Sequence, residues 1–409
     1  MAFYPAPKRG WVLLFIDTFM SKYCPYCLPA KRRTHKHFHI IYYLSWLPSF
    51  DFKLNINKFW PLILQTLSII KIVKFEANPN KEKLLNRSLI FFNEAQKRGI
   101  DIRVVKVFGK YRNDFRFTHN KKHYHYEGIP LFSINYKFDM DHKPTSRALL
   151  LENNIPMPKG NKFTNKQKAL KFIEQIGFPV VIKPCSGSLS QHVTCNISSQ
   201  KQAGNAIKIA KIYRPDFIVE KYIPGKLYRA TVVGQENVFC CQREIANVTG
   251  NGVLTVKQLI EEKNKDKKRG NLNKKNTTLH KINIDDTLRA QLKEQGLQIN
   301  TILEKDKKIY LHNKHTVVAG CDIIGVTDKV HIDNKNLFLK VASLLETQLV
   351  GIDFICSDIS KSYKQQTSAV LETNSLPYID MHQETSHGIS DNVAEAVWDI
   401  ILKQVDDGA

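Results

Sequence analysis

The chain has 409 residues, with 61 Lys plus Arg against 38 Asp plus Glu and a net charge of +23. At 43% hydrophobic and 24% charged residues its composition is globular, which excludes a disordered or collagen-like polypeptide, and eight Cys are too few for a disulfide scaffold. The length predicts two or three domains, and the charge calls for an anionic partner.

Residues 1–58 read as a basic extension, with nine Lys or Arg against Asp17 and Asp51. Within it, Cys24-Pro-Tyr-Cys27 is followed by His35, His37 and His39. The pair has redox-dithiol spacing, and two Cys with two His would suit zinc, but a His spacing of two is short for that metal. Two free cysteines in a basic arm are the preferred reading. No apolar run reaches the roughly 20 residues of a membrane span, since 38–50 is broken by His39 and Pro48 and 59–73 contains Pro61, Gln65 and Lys71. With no secretory signal pattern either, a cytoplasmic protein is expected.

Residues 59–139 predict a small α/β unit. A buried helix falls within 59–73, and a helix over 78–98 carries Leu84, Leu85, Leu89 and Phe92 at helical spacing before Gly99. A strand follows over 100–108. From 141 onward the pattern predicts helices over 143–154 and 164–176, then a buried strand over 178–183, Phe-Pro-Val-Val-Ile-Lys, which delivers Lys183 at its end. A small-residue loop, a strand over 192–197, a helix over 201–213 and a strand over 216–219 come next. Segments 227–233 and 237–244 alternate as a hairpin about Gly234-Gln-Glu-Asn237. Nine Lys or Arg against three acids mark 257–281, either a solvated loop or an attractor of acidic substrate beside a site.

A strand-terminal lysine followed by a flexible loop suits phosphate oxygens, which take a point charge and backbone amides. Near the C-terminus, Asp353 lies in Gly351-Ile-Asp-Phe, while Glu372 and Asn374 lie two apart in Ala369-Val-Leu-Glu-Thr-Asn. On neighbouring strands these three share a face and form an oxygen cluster of the kind Mg²⁺ takes together with substrate phosphates.

These segments, with Ile218-Val-Glu-Lys-Tyr-Ile-Pro-Gly, Tyr228-Arg-Ala-Thr-Val-Val-Gly and the stretch from Arg243 to Val256, resemble the ATP-grasp carboxylate-amine ligases. The resemblance is greatest to the ATP-grasp segments of cyanophycin synthetase and of the bifunctional glutamate-cysteine ligase/glutathione synthetase. It implies an α/β (α+β) ATP-grasp fold over 140–405, two subdomains sandwiching ATP with a lid at about 164–232, preceded by a pre-ATP-grasp-like unit over 59–139. It further implies that Lys143, Lys183 and Ser188 contact ATP phosphates and that Glu220, Lys221 and Ile223 belong to an adenine hinge. Asp353, Glu372 and Asn374 would hold one or two Mg²⁺, or Mn²⁺, and Arg229 and Arg243 would face the substrate carboxylate and the transferred phosphoryl group. The implied reaction joins a carboxylate to an amine of amino-acid or peptide substrates through an acyl phosphate, with ATP going to ADP and phosphate; the enzyme could be a homo-oligomer.

Two positions depart from the family pattern. The loop from Ser186 to His192 holds one Gly, and Leu227 stands where an acid is frequent. A degenerate ATP-grasp protein and a basic nucleic-acid binder are the competing readings. The second draws on the charge and on the aromatic and basic residues interleaved over 108–126, although no helix-turn-helix, zinc-finger, RNA-recognition or OB pattern is present.

Overall fold

The computed structural model describes residues 56–129, 140, 142–187 and 190–407, with 35, 39, 42 and 43 besides. Helix Ile56–Ile69 leads into β1 (Val73–Glu76), and helix Asn86–Lys97 into β2 (Asp101–Val107), β3 (Lys110–His119) and β4 (Lys122–Glu127), an antiparallel sheet in the order β1-β2-β3-β4. The helix expected over 78–98 is split. Asn80 caps a short turn at Lys81–Lys83, Leu84 is extended, and the α-helix starts only at Asn86. A side chain that accepts from the backbone near its own position competes with helix continuation, and Asn80 does so through Glu82 N.

Apart from the exposed Phe108, the aromatic residues of 108–126 are buried or partly buried. Phe115 and Phe117 are fully buried, Tyr126 stacks on Phe115 at 5.1 Å between ring centroids, and Trp398 meets the edge of Phe117 at 5.1 Å. Rings committed to a core are not a base-stacking platform, so the interleaving that suggested nucleic acid is strand alternation.

A second unit is formed by β5 (Gly160–Phe163), β6 (Val180–Pro184), β7 (Thr194–Ile197) and β8 (Phe217–Lys221), antiparallel in the order β5-β8-β6-β7. Helices Lys166–Ile176 and Gln200–Tyr213, capped by Asn165 and Ser199, cover one face. Their Ala169, Ala203, Ala206 and Ala210 let the helix backbones approach Val180, Ile182, Phe217 and Val219 closely.

The largest sheet runs β17-β16-β9-β10-β15-β18. The chain supplies β9 (Lys226–Val233) and β10 (Asn237–Glu244) as a hairpin, then an insertion containing β11 (Asn247–Thr249), β12 (Arg269–Gly270), β13 (Leu279–His280) and β14 (Lys308–Tyr310). It returns through β15 (Asp322–Gly325), helix Ile332–Leu344, β16 (Leu349–Cys356), β17 (Ser368–Asn374), β18 (His387–Gly388) and helix Val393–Asp406. Phe338 and Val341 of helix Ile332–Leu344 pack on Tyr228, Ile352 and Phe354 and cover one face of the sheet. At one end of the opposite face, Val233 and Leu349 join Phe91, Phe115, Phe117 and Trp398 in a single core. The N-terminal sheet is therefore anchored to the main body by shared burial, with Trp398 Nε1 donating to Phe91 O at 3.0 Å.

The charge run at 257–281 is partly helical, with Lys257, Lys265, Lys267, Lys268, Lys274 and Lys275 exposed. Its first third is helix Val256–Asn264, started by a reciprocal cap between Thr255 and Gln258, and its remainder is clamped by Asn86 N donating to Lys275 O at 2.9 Å. Among the described residues no helix is long and apolar enough to cross a membrane.

Candidate active site

Strand alternation aims the first group of polar residues. Val180 and Ile182 of β6, and Phe217 and Val219 of β8, point into the core beneath the helices, so Lys183, Ile218 and Glu220 point out of the opposite face. There they line a narrow cleft shared with Lys143, Arg147, Leu371 and Glu372. Lys183 Nζ lies 2.7 Å from Glu220 and Arg147 Nη1 3.2 Å from it, all three side chains being largely buried. Lys143, the first residue of helix Lys143–Glu152, lies 3.1 Å from Glu372 of β17 and donates to Gly187 O at 3.2 Å. That one ammonium links the main sheet to the loop after Lys183. Arg147 went unnoticed in the sequence, yet it stands one helical turn after Lys143, a spacing that puts both on one face.

Register aims the second group. Asp353 of β16 pairs with Arg229 on one side and with Glu372 on the other, and Arg243 lies one strand further along the same face. Arg229 Nε donates to Asp353 Oδ1 at 2.6 Å and Arg243 Nη2 donates to Oδ2. Burial pushes the Asp353 carboxyl up, but the two guanidinium charges and their hydrogen bonds outweigh it and hold the group at about 2. Gly351 in the Gly-Ile-Asp segment has a steric reason, since a Cβ there would lie 2.9 Å from Arg229 Nη1. Arg229 Nη1, Arg243 Nε and Asn374 Nδ2 are buried and lack a hydrogen-bond partner. Three such polar atoms on one face of a sheet would suit a polar ligand.

His382 closes this group from above. Its Nε2 lies 2.8 Å from Thr231 Oγ1, and burial next to Arg229 lowers it to about 3, so the ring is neutral. His382 is fully buried, and its Nδ1 has no partner. His315, in the insertion, places Nδ1 2.7 Å from Arg243 O and steadies that arginine's backbone. No sequence signal pointed to it.

Asp353, Glu372 and Asn374 lie on one face with oxygen donors only, and no group of three His, Cys, Asp or Glu suited to a metal occurs among the described residues. Two carboxylates and an amide fit Mg²⁺, which needs few protein ligands when phosphates complete its shell, and do not fit zinc. Among the other expected residues, Ser188, Cys24, Cys27 and His37 lie outside the described residues. The Lys221 ammonium points away from the pocket, donating to Gly177 O at 3.1 Å and Phe178 O at 2.7 Å, and Ile223 follows directly on β8. His35 packs on Tyr213 at 4.5 Å and on His192 at 5.0 Å between ring centroids. In the charge run, Lys263 and Arg269 both bind buried Asp322. Those two cations are therefore structural and not displayed to an acidic partner.

Residues 140–265 match the RimK-like ATP-grasp domain. The chain carries an ATP-grasp domain. It is 32% identical over 266 residues to the bifunctional glutathione biosynthesis protein GshAB of Clostridium perfringens, covering 64% of this chain and 34% of that protein. It is 31% identical over 269 residues to the cyanophycin synthetase of Nostoc sp., covering 65% of this chain and 29% of that one. The chain thus spans about a third of the length of the curated relatives it matches. The crystal structure of a bifunctional glutathione synthetase from Pasteurella multocida superimposes with a TM-score of 0.61 at 23% identity, over 79% of this chain and 44% of that one, which establishes the shared fold.

Proposed function

We propose that this ATP-grasp domain is an ATP- and Mg²⁺-dependent ligase that joins a carboxylate to an amine of amino-acid or peptide substrates. The observation that carries the reading is the pairing of Arg229 and Arg243 on Asp353, next to Glu372, across a cleft from Lys143 and Lys183. Cations on both walls and carboxylates on the floor suit phosphoryl transfer, which needs positioning and charge neutralisation and little covalent help from protein. A carboxylate does not condense with an amine at neutral pH, because the leaving group would be oxide. Transfer of the γ-phosphoryl group to the carboxylate gives an acyl phosphate and ADP, and attack of the amine then expels phosphate.

In this reading Lys143 and Lys183 bind phosphate oxygens, exchanging their present carboxylate partners for nucleotide. Backbone groups about Glu220, Lys221 and Ile223 hold the base, with Ser188 at the phosphates. Arg229 and Arg243 use their unpartnered nitrogens to hold the substrate carboxylate and the moving phosphoryl group. Asp353, Glu372 and Asn374 would hold Mg²⁺, which would supply charge neutralisation for phosphoryl transfer. The β5–β8 unit acts as a lid, since the acyl phosphate must be kept from water. The substrate acid is anionic, in keeping with the net charge of +23.

Purified protein offered single amino acids, dipeptides and acidic peptides in pairs should release ADP with a matched pair, and Glu372→Ala should lower turnover at least about 100-fold by loss of charge stabilisation. If no pair stimulates ADP release and a non-hydrolysable ATP analogue does not bind, the ligase reading fails.

A further inference from the structure

The loop from Ser186 to His192 holds one glycine, yet its backbone takes conformations that glycine adopts freely. Gly187, Ser190 and His192 have φ of +134°, +53° and +56°. Only the first is a glycine, and a Cβ disfavours the left-handed region at the other two. A backbone of this kind persists where its surroundings hold it in place.

Here the surroundings are aromatic. His192 is 1% exposed, its Nδ1 donates to Ile209 O at 2.7 Å, and its ring centroid lies 5.2 Å from that of Tyr213. The Tyr213 ring also backs Gly187, where a Cβ would come within 3.3 Å of it. The third ring comes from the basic extension. His35 is buried, tilts over Tyr213 at 4.5 Å between ring centroids and meets His192 at 5.0 Å, nearly at a right angle. His39 Nε2 adds a bond to Ile212 O at 3.4 Å beside the same tyrosine. From this cluster the contacts run on toward the cleft, since Gly187 O accepts from Lys143 Nζ at 3.2 Å and that ammonium lies 3.1 Å from Glu372.

We propose that His35 is a positioning residue for this loop: by completing the ring cluster with Tyr213 and His192 it keeps the loop ordered before nucleotide arrives. The inference rests on the part of the ligase reading that puts this loop at the ATP phosphates. A loop that is already ordered loses less conformational freedom on binding, so the contact strengthens phosphate binding without touching the nucleotide. Glycine freedom does not set the shape of this loop, and a ring supplied from outside the ATP-grasp domain does so instead. The basic extension thereby acquires a role that is independent of its charge.

Hydrogen–deuterium exchange of the full chain without nucleotide, read by peptide mass spectrometry, tests the ordering. Amides of the loop from Ser186 to His192 should exchange about 10-fold faster in His35→Ala and near the wild-type rate in His35→Phe, which keeps a ring, while β9 and β10 stay unchanged in both. Affinity for the ATP analogue AMP-PNP should fall about 5-fold or more in His35→Ala and be retained in His35→Phe, with AMP affinity unchanged in either. Tyr213→Leu should weaken AMP-PNP binding similarly, and adding His35→Ala to it should cost little more, because both act through one cluster. Unchanged loop exchange and AMP-PNP affinity in His35→Ala would overturn the inference and leave the ligase reading standing. Faster loop exchange with no loss of AMP-PNP affinity would overturn the positioning role, and so would faster exchange at β9 and β10, which would make His35 a contact of the whole fold. Failure of the wild type to bind AMP-PNP would remove the nucleotide reading and the inference together.

Discussion

Asp353→Asn keeps the shape of a buried side chain and deletes its charge. The carboxylate is 5% exposed and takes hydrogen bonds from Arg229 at 2.6 Å and from Arg243, so the change strands two guanidinium groups with Glu372 as the remaining nearby acid. Removing one member of a buried ion pair costs about 3–5 kcal/mol, and Glu372 offsets part of it, so a loss of about 2–4 kcal/mol is expected. Urea unfolding of both proteins without nucleotide, followed from pH 8 to pH 5, measures it. The folded-state value of Asp353 lies below the unfolded one, so its contribution is fully present above the usual carboxylate range and is lost as pH falls toward about 2. The difference between the two proteins should therefore stay level across the whole span. A loss under about 1 kcal/mol would refute the burial argument, since solvated arginines would tolerate the change. A difference that changes between pH 7 and pH 5 would show that the folded-state carboxyl is not held below its ordinary range. Arg243→Met added to Asp353→Asn should recover part of the loss, because it removes one stranded charge.

Glu220→Gln leaves Lys183 and Arg147 facing each other without a shared acid and should lower thermal stability by about 2–4 kcal/mol, with partial recovery when Lys183→Met is added. Asp380 is driven to about 6 by burial against the pull of Thr278 and Arg87, with Glu384 adding to the rise. Its folded-state value being raised, stability is retained at acid pH and lost as pH climbs through 6. Asp380→Asn should then stabilise by about 1–3 kcal/mol at pH 7.5 and by nothing near pH 4; equal gains at both values would discount the titration. Trp398→Ala should cost about 3–5 kcal/mol and leave a single melting transition, because the N-terminal sheet and the main sheet share the cavity. A separate early melt of the N-terminal unit would contradict a common core.

Much of the local structure was legible because it obeys short-range rules. Period-two alternation marked β9 and β10 to within a residue or two, and the 3.6-residue pattern marked helix Gln200–Tyr213 to within a residue. The same alternation makes Lys183 and Glu220 share a face once the helices are known to cover the other. The reading failed where side chains compete with the backbone or where partners are distant. Asn80 broke a helix that periodicity continued, and the charged run at 257–281 starts with a capped helix, Lys263 of that helix and Arg269 of β12 both serving Asp322. Residues 282–348, long and mixed in pattern, held His315 out of view.

Composition and periodicity determined an α/β protein, the resemblance of its ordered segments to the ATP-grasp ligases implied the domain, and together they marked the acids and basic residues worth examining. Those signals lie within a few residues along the chain, where propensity and alternation act. Only the tertiary structure decided that Asp353 meets Arg229 across a sequence separation of 124, that Lys143 reaches Glu372, and that the aromatic strands of the N-terminal unit close on Trp398. Those contacts depend on strand register and on which face is buried, quantities set by the packing of the whole sheet and written in no single segment.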